Sequence, residues 1–386
     1  MHPSVSSVSE NGCFRSTVVA RAGIGPWPLR LARLALVLAL VVVLLGGWTR
    51  LNNAGLSCPD WPGCYGELIL PGSAEGLALA QLRYPSIPID SARAWLEMTH
   101  RYLAAGLGLT ILLLALSAYR HDRRSGRRVV IGYPSRISYW LLVLVILQGI
   151  FGMWTVTLKL LPQVVTLHLV GGLLTVTLLV IMNQSLQQLA AGQAQSITGS
   201  RAQPDKPSAP GRSRPSRPLS RWVAGAALLL FVQIALGGWT SSNYAGWACP
   251  HWLGCQQLDI NGQPASLDFQ AAFVLPQTDQ QSFLGGRKSP QARAAIQMTH
   301  RGMALLLLLY LLLLLKHCWR YQPLRRTGCA VVGVALTQSL LGGMNVIHGL
   351  PLGLAFAHHL GALLLLLLLL RLYRLSVRRA RENHYG

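Results

Sequence analysis

Charge is what this chain has least of. Only 12% of its 386 residues are charged, and acidic residues number 12 against 34 Lys and Arg. The runs Leu34 to Leu45, Leu141 to Leu147, Leu305 to Leu315 and Leu363 to Leu370 hold no charge at all. A soluble core has no need of so much unbroken leucine, whereas crossing a bilayer takes about 20 mostly apolar residues. Eight stretches qualify, near 30–49, 94–118, 136–157, 161–182, 221–240, 293–317, 327–347 and 351–371. A clean signal-peptide cleavage pattern is also missing from the first thirty residues, so the first span is expected to stay in place.

The formal charge of +22 would point to nucleic acid in a soluble chain. Its placement excludes that reading. Lys and Arg gather in alternate connections, at Arg15 to Arg33, Arg120 to Arg136, Arg201 to Arg221, Lys316 to Arg326 and Arg371 to Arg381. The positive-inside rule then puts both termini and these connections in the cytoplasm, where they also attract anionic lipid.

The two halves repeat. Gly46-Gly47-Trp48-Thr49 returns as Gly237-Gly238-Trp239-Thr240, and Met98-Thr99-His100-Arg101 as Met298-Thr299-His300-Arg301. Gln148 and Gly152 match Gln338 and Gly342, and His168-Leu169-Val170-Gly171 matches His358-His359-Leu360-Gly361. The expected fold is an all-α polytopic membrane protein of two tandem four-helix bundles, related by a pseudo-two-fold axis along the membrane normal. The divisions are a cytoplasmic tail over 1–29, units over 30–183 and 221–372, and a second tail over 373–386. Between the units, 184–220 is rich in Gln, Ser, Pro and Arg without apolar periodicity, and is expected to be disordered. The connections near Lys159 and His348 to Leu350 are tight, so the helices they join are antiparallel neighbours.

Two cysteine pairs share one spacing, Cys58-Pro-Asp-Trp-Pro-Gly-Cys64 and Cys249-Pro-His-Trp-Leu-Gly-Cys255. Both lie in long loops on the outer side, where disulfides persist, and two intraloop bridges that shape lids are the favoured reading. The competing one is a metal site with His251 as a further ligand; the first loop has no equivalent histidine, and zinc usually takes tighter spacings.

His100 and His168 lie about six and seven residues into their spans from the outer end, and His300 and His358 repeat that depth. At a rise of about 1.5 Å per residue, all four fall in one layer. Imidazole in an apolar span faces a bundle interior or a cavity. Alone, each would read as an interhelical hydrogen bond. Paired at one depth in four-helix units, they suit the two axial positions of a haem iron, whereas zinc would want a further ligand. The doublet His358-His359 can aim only one ring at an iron, and the match of Gly171 with Gly361 selects His358. Arg101 and Arg301 read either as snorkelling interfacial anchors or as partners for haem propionates, a role also open to Arg50. Glycines such as Gly46, Gly152, Gly237 and Gly342 read as helix-packing positions.

The units differ beside one repeated motif: Glu97 stands where the second half has Gln297. Three residues before His100, Glu97 shares its helix face and could handle protons or stabilise positive charge on a substrate. The alternative is an ion pair with Arg50, Arg93 or Arg101.

These motifs together, with Gly55 to Cys64 and Leu161-Pro162-Gln163-Val164-Val165-Thr166-Leu167-His168, closely resemble the haem A synthase family over nearly the whole chain apart from the linker and tails. The resemblance implies an oxidoreductase acting on the C8 methyl of haem O, converting it to a formyl group through an alcohol and a hydrated aldehyde. It implies a haem b cofactor on His300 and His358, substrate haem O on His100 and His168, and Glu97 as the catalytic carboxylate near the reacting methyl. It further implies a bacterial inner membrane location, haem O synthase and an electron donor as partners, and a homo-oligomer as one assembly state. Two other functions use the same histidines. A di-haem b-type cytochrome in quinol electron transfer usually sets its haems near opposite faces, and a haem carrier or exporter has no evident use for Glu97.

Overall fold

The computed structural model describes residues 26–85, 88–125, 133–197, 217–250, 255, 257–258, 264–279 and 281–385. Among these, eight helices are long and apolar enough to cross a membrane: α1 (Pro26–Leu51), α3 (Ser91–Ser125), α4 (Ser135–Thr157), α5 (Pro162–Ile197), α6 (Arg217–Ser242), α8 (Pro290–Cys318), α9 (Gln322–Ile347) and α10 (Leu352–Tyr385). The chain is a polytopic all-α membrane protein. The long loop between α1 and α3 carries the short helix α2 (Ala74–Arg83). The loop between α6 and α8 carries a two-residue antiparallel ladder, β1 (Gln257–Leu258) with β2 (Pro264–Ala265), and the single-turn helix α7 (Phe269–Phe273).

In the first unit α1 packs on α3 and α5, and α4 packs on the same two; in the second, α6 and α9 each pack on α8 and α10. The units meet where α5 touches α6, α10 touches α1, and α5 touches α10. Exchanging the two sets of helices leaves that contact pattern unchanged. The tight turns behave alike as well. Lys159 and Leu160 take left-handed φ values of 50° and 65°, and Gly349 and Leu350 take 69° and 62°. Each turn closes by a main-chain hydrogen bond five residues back, Leu160 N to Thr155 O at 2.8 Å and Leu350 N to Asn345 O at 2.7 Å.

Two boundaries depart from the sequence reading. Residues 184–197, expected in the disordered linker, continue α5, and α6 already begins at Arg217. The apolar positions in this stretch are sparse but placed one turn apart: Leu186 is buried and Leu189 packs against the same core. Gln and Ala around them favour helix. Residues 373–385, expected as a tail, likewise extend α10, with Ser376 buried against the bundle. Of the linker, 198–216 lies outside the described residues, as do most of the N-terminal tail and His251.

Candidate functional site

Each long loop is pinned to the helix that follows it. Cys58 bonds to Cys64 and Cys249 to Cys255. In the first unit Cys58, Cys64, Tyr65 and Leu70 pack against Ala94 and Met98 on α3. Loop closure by so short a bridge stabilises by only about 2 kcal/mol. Cys58→Ser should therefore loosen the loop in proteolysis assays without altering metal content, and stoichiometric zinc in the intact protein would overturn the disulfide reading.

The mismatched pair 97/297 sits at this junction. Glu97 is 4% exposed. Its Oε2 accepts from Cys58 N at 3.0 Å, and its Oε1 pairs with Arg101 Nη2 at 2.5 Å. Of the three arginines considered, Arg101 is the partner. Its other nitrogen donates to the main-chain oxygens of Asp60 (2.9 Å) and Gly63, so one guanidinium ties the carboxylate to the bridged loop. Arg93 pairs instead with Asp90 at 3.4 Å. Beyond the spans, the phenol of Tyr65 is pushed above its usual range by burial first and by the Glu97 charge second. In the second unit Gln297 accepts from Cys249 N at 2.5 Å and donates to Gly246 O at 2.7 Å, while Arg301 Nη2 donates to Cys249 O at 2.7 Å. An amide meets both loop groups without charge. At Glu97 it is Arg101 that supplies the second partner.

His100 on α3 and His168 on α5 stand on helices that both pack on α1 and α4, and His300 on α8 and His358 on α10 stand on helices that both pack on α6 and α9. Each ring lies on a glycine of a neighbouring helix. A methyl group added at Gly46 would stand 2.9 Å from His100 Cε1, at Gly237 3.2 Å from His300 Cε1, at Gly342 3.4 Å from His358 Cε1, and at Gly152 3.6 Å from His168 Cε1. These glycines, expected as helix-packing sites, are where the imidazoles fit. Beside them Gln148 covers Gly171 and Gln338 covers Gly361. Nδ1 of His100, His168 and His358 is buried with no hydrogen-bond partner, whereas Nδ1 of His300 has Gln233 Nε2 at 3.2 Å.

The doublet is divided. His359 Nε2 lies 3.2 Å from Val43 O and its ring covers Gly47, so it belongs to the contact between units. Arg50 also crosses that contact, with Nη2 donating to Ser241 O at 2.6 Å and Nη1 to Tyr244 Oη at 3.1 Å. The second long loop reaches over the first unit too: Phe283 N donates to Lys159 O at 3.0 Å, and Gln163 Nε2 to Pro276 O at 2.9 Å. Neither Arg50 nor His359 had a cross-unit partner in the sequence reading, because no periodicity encodes one.

Among the described residues no three His, Cys, Asp or Glu side chains gather into a metal site. The donor set of each unit is two imidazoles set on glycines that leave space at the ring edge, three of the four with an unpaired Nδ1 and His300 with the Gln233 amide against its ring. That set fits a metal macrocycle supplying its own equatorial ligands and needing two axial nitrogens. The clefts in the second loop, by Asp268, Phe269 and Gln291 and by Tyr244, Trp247 and Arg293, are lined by none of these histidines.

Fold and site thus define a polytopic helical membrane protein with a half-buried pair of histidines, set on glycines, in each of two four-helix units. Residues 30–370 match the model of the cytochrome oxidase assembly protein family, COX15-CtaA. The chain is 36% identical over 348 residues to a heme A synthase of Shewanella oneidensis, an alignment covering 88% of this chain and 93% of the relative. Heme A synthases of Sphingopyxis alaskensis (93% of this chain, 96% of the relative) and Paracoccus denitrificans (87% and 84%) are each 28% identical to it. The chain belongs to the cytochrome oxidase assembly protein family.

Proposed function

We propose that this protein makes haem A by oxidising the C8 methyl of haem O to a formyl group. The observation that carries the reading is the duplicated histidine pair with a carboxylate at 97 and an amide at 297, in a chain whose curated relatives bear the name heme A synthase. In this reading His100 and His168 hold the substrate iron, and His300 and His358 hold haem b. Haem b bound there supplies one-electron chemistry at its iron. With dioxygen as the oxidant, and two electrons from the donor and two protons per step, the methyl becomes an alcohol and then a hydrated aldehyde, the second oxygen atom leaving as water each time, and the hydrate then loses water.

Glu97 is the chain's own contribution at the reacting carbon. A buried carboxylate with Arg101 on one oxygen and Cys58 N on the other is held in a fixed orientation, from which its ionised form stabilises positive charge as it develops on the substrate. Gln297, being neutral, cannot do so. Arg101 and Arg301, each bound to its loop near a histidine, remain the candidates to meet propionates, with Arg50 at the contact between units. By the positive-inside rule the basic clusters support cytoplasmic termini with the bridged loops outside, in keeping with a bacterial inner membrane. A supplier of haem O and an electron donor are the partners the reaction requires. A homo-oligomer accords with the lipid-facing helices.

The glycine contacts give a test that needs no turnover. Gly46→Ala forces a methyl to 2.9 Å from His100, which should cost about 1–3 kcal/mol and lower haem content in the first unit. Gly152→Ala, at 3.6 Å from His168, should leave it near normal. Equal haem content in the two variants would remove the glycines from the site.

A further inference from the structure

The two tight turns are built alike and covered differently. Leu160 precedes His168 by the same spacing as Leu350 precedes His358, and each leucine lies against a glycine of its own unit's loop, Gly55 and Gly246. Yet Leu160 is 7% exposed and Leu350 is 42% exposed. The difference is Phe283 of the second unit's long loop, itself 3% exposed, which packs with Leu160, Leu161 and Val164 of the first unit. Its N–H donates to Lys159 O at 3.0 Å, so ring and backbone both hold the turn. At the start of α5, Gln163 Nε2 donates to Pro276 O of the same loop at 2.9 Å, and the matching residue before His358 is Gly353, with no side chain to do so. The cap has a shape of its own. Gly286 N donates to Phe283 O at 3.1 Å, and Gly285 and Gly286 take φ values of 84° and 80°, which suit glycine. Arg287 lies 4.9 Å from the Phe283 ring centroid and pairs with both carboxylate oxygens of Asp279, at 2.6 and 2.5 Å.

We propose that Phe283 is a positioning residue through which the second unit fixes His168 in the first. The proposal rests on the haem reading above. The capped turn joins α4, which carries Gly152, to α5, which carries His168, and a methyl at Gly152 would stand only 3.6 Å from the His168 ring. A shift of the turn therefore slides the imidazole along the glycine that seats it. Burying a Phe side chain is a strong apolar hold on such a turn, and the main-chain bond to Lys159 O gives it direction. A resident cofactor stays in its pocket, whereas a substrate is taken up and given off at each cycle. The pair that handles the substrate is thus the one held from outside, and it is complete only with the other unit's loop upon it.

The test compares purified wild type, Phe283→Ala, Phe283→Leu and Gln163→Leu by two readouts, chromatography of the extracted haems and hydrogen exchange of the amides over 158–165. Phe283→Ala should speed exchange at the turn and lose most of the haem O, its alcohol and haem A, with haem b at the wild-type amount. Phe283→Leu refills the apolar cluster and should restore both. Gln163→Leu should give a smaller loss of the same pigments. Should Phe283→Ala fail to accumulate, Gln163→Leu decides by the same readouts. Faster exchange with an unchanged pigment ratio overturns the proposal and leaves Phe283 as packing alone. Equal loss of haem b and the other pigments overturns it too, because general loosening does not choose between units. Haem b as the sole pigment of wild type would fail the haem reading itself, and the proposal with it; a mixed wild-type pigment that Phe283→Ala leaves unaltered fails the proposal alone.

Discussion

Glu97→Gln should purify with its haem complement intact and yield almost no haem A. The second unit explains why the fold survives. Gln297 already fills the same place, accepting from Cys249 N as Glu97 accepts from Cys58 N. Arg101 would lose its carboxylate but keep the main-chain oxygens of Asp60 and Gly63. What the substitution deletes is negative charge. Removing a group that stabilises charge only as it develops costs about 10²–10³-fold in turnover. Haem O or its alcohol should therefore accumulate on the protein, as seen by chromatography of the extracted pigments. Wild-type haem A yield from this variant would reduce Glu97 to a tether for the bridged loop.

The second large effect concerns the doublet. His300→Ala and His358→Ala should each abolish the haem b absorbance and with it all turnover, because in the proposed reading both imidazoles are needed to hold the haem. His359→Ala should keep the haem. Its ring bonds to Val43 O and covers Gly47 at the seam between units, so its loss should cost about 1–3 kcal/mol of stability. The contrast is read by absorbance and thermal unfolding on the same samples. Loss of haem from His359→Ala with retention in His358→Ala would shift the ligand by one residue.

How much of this could be read from the chain alone follows from what each feature depends on. The eight crossing helices depend on hydropathy, which is local, and they lie where the apolar runs predict. Their ends depend on packing. Leu186 and Leu189 carry α5 beyond the apolar run because they find a core to join. The short helices α2 and α7 were not anticipated, although Ser73 and Asp268 cap them by accepting from Gly76 N and Ala271 N. The histidine pairs were legible because the repeat shows each twice. Gln233, whose amide lies 3.2 Å from His300 Nδ1, has no counterpart in the repeat and so carries no signal in it. The contacts of Glu97 with Cys58 N and of Arg50 with Ser241 O join residues 39 and 191 apart, and no spacing rule reaches that far.

The central claim is that one unit holds a resident group while the other holds the molecule being changed. Chromatography of haems extracted from purified wild-type protein and from His300→Ala tests it directly. Wild type should yield haem b together with haem O, its alcohol or haem A, and His300→Ala should lose the haem b alone. Haem b as the sole pigment of wild type, in an amount matching both histidine pairs, would contradict the account and favour an electron-transfer cytochrome.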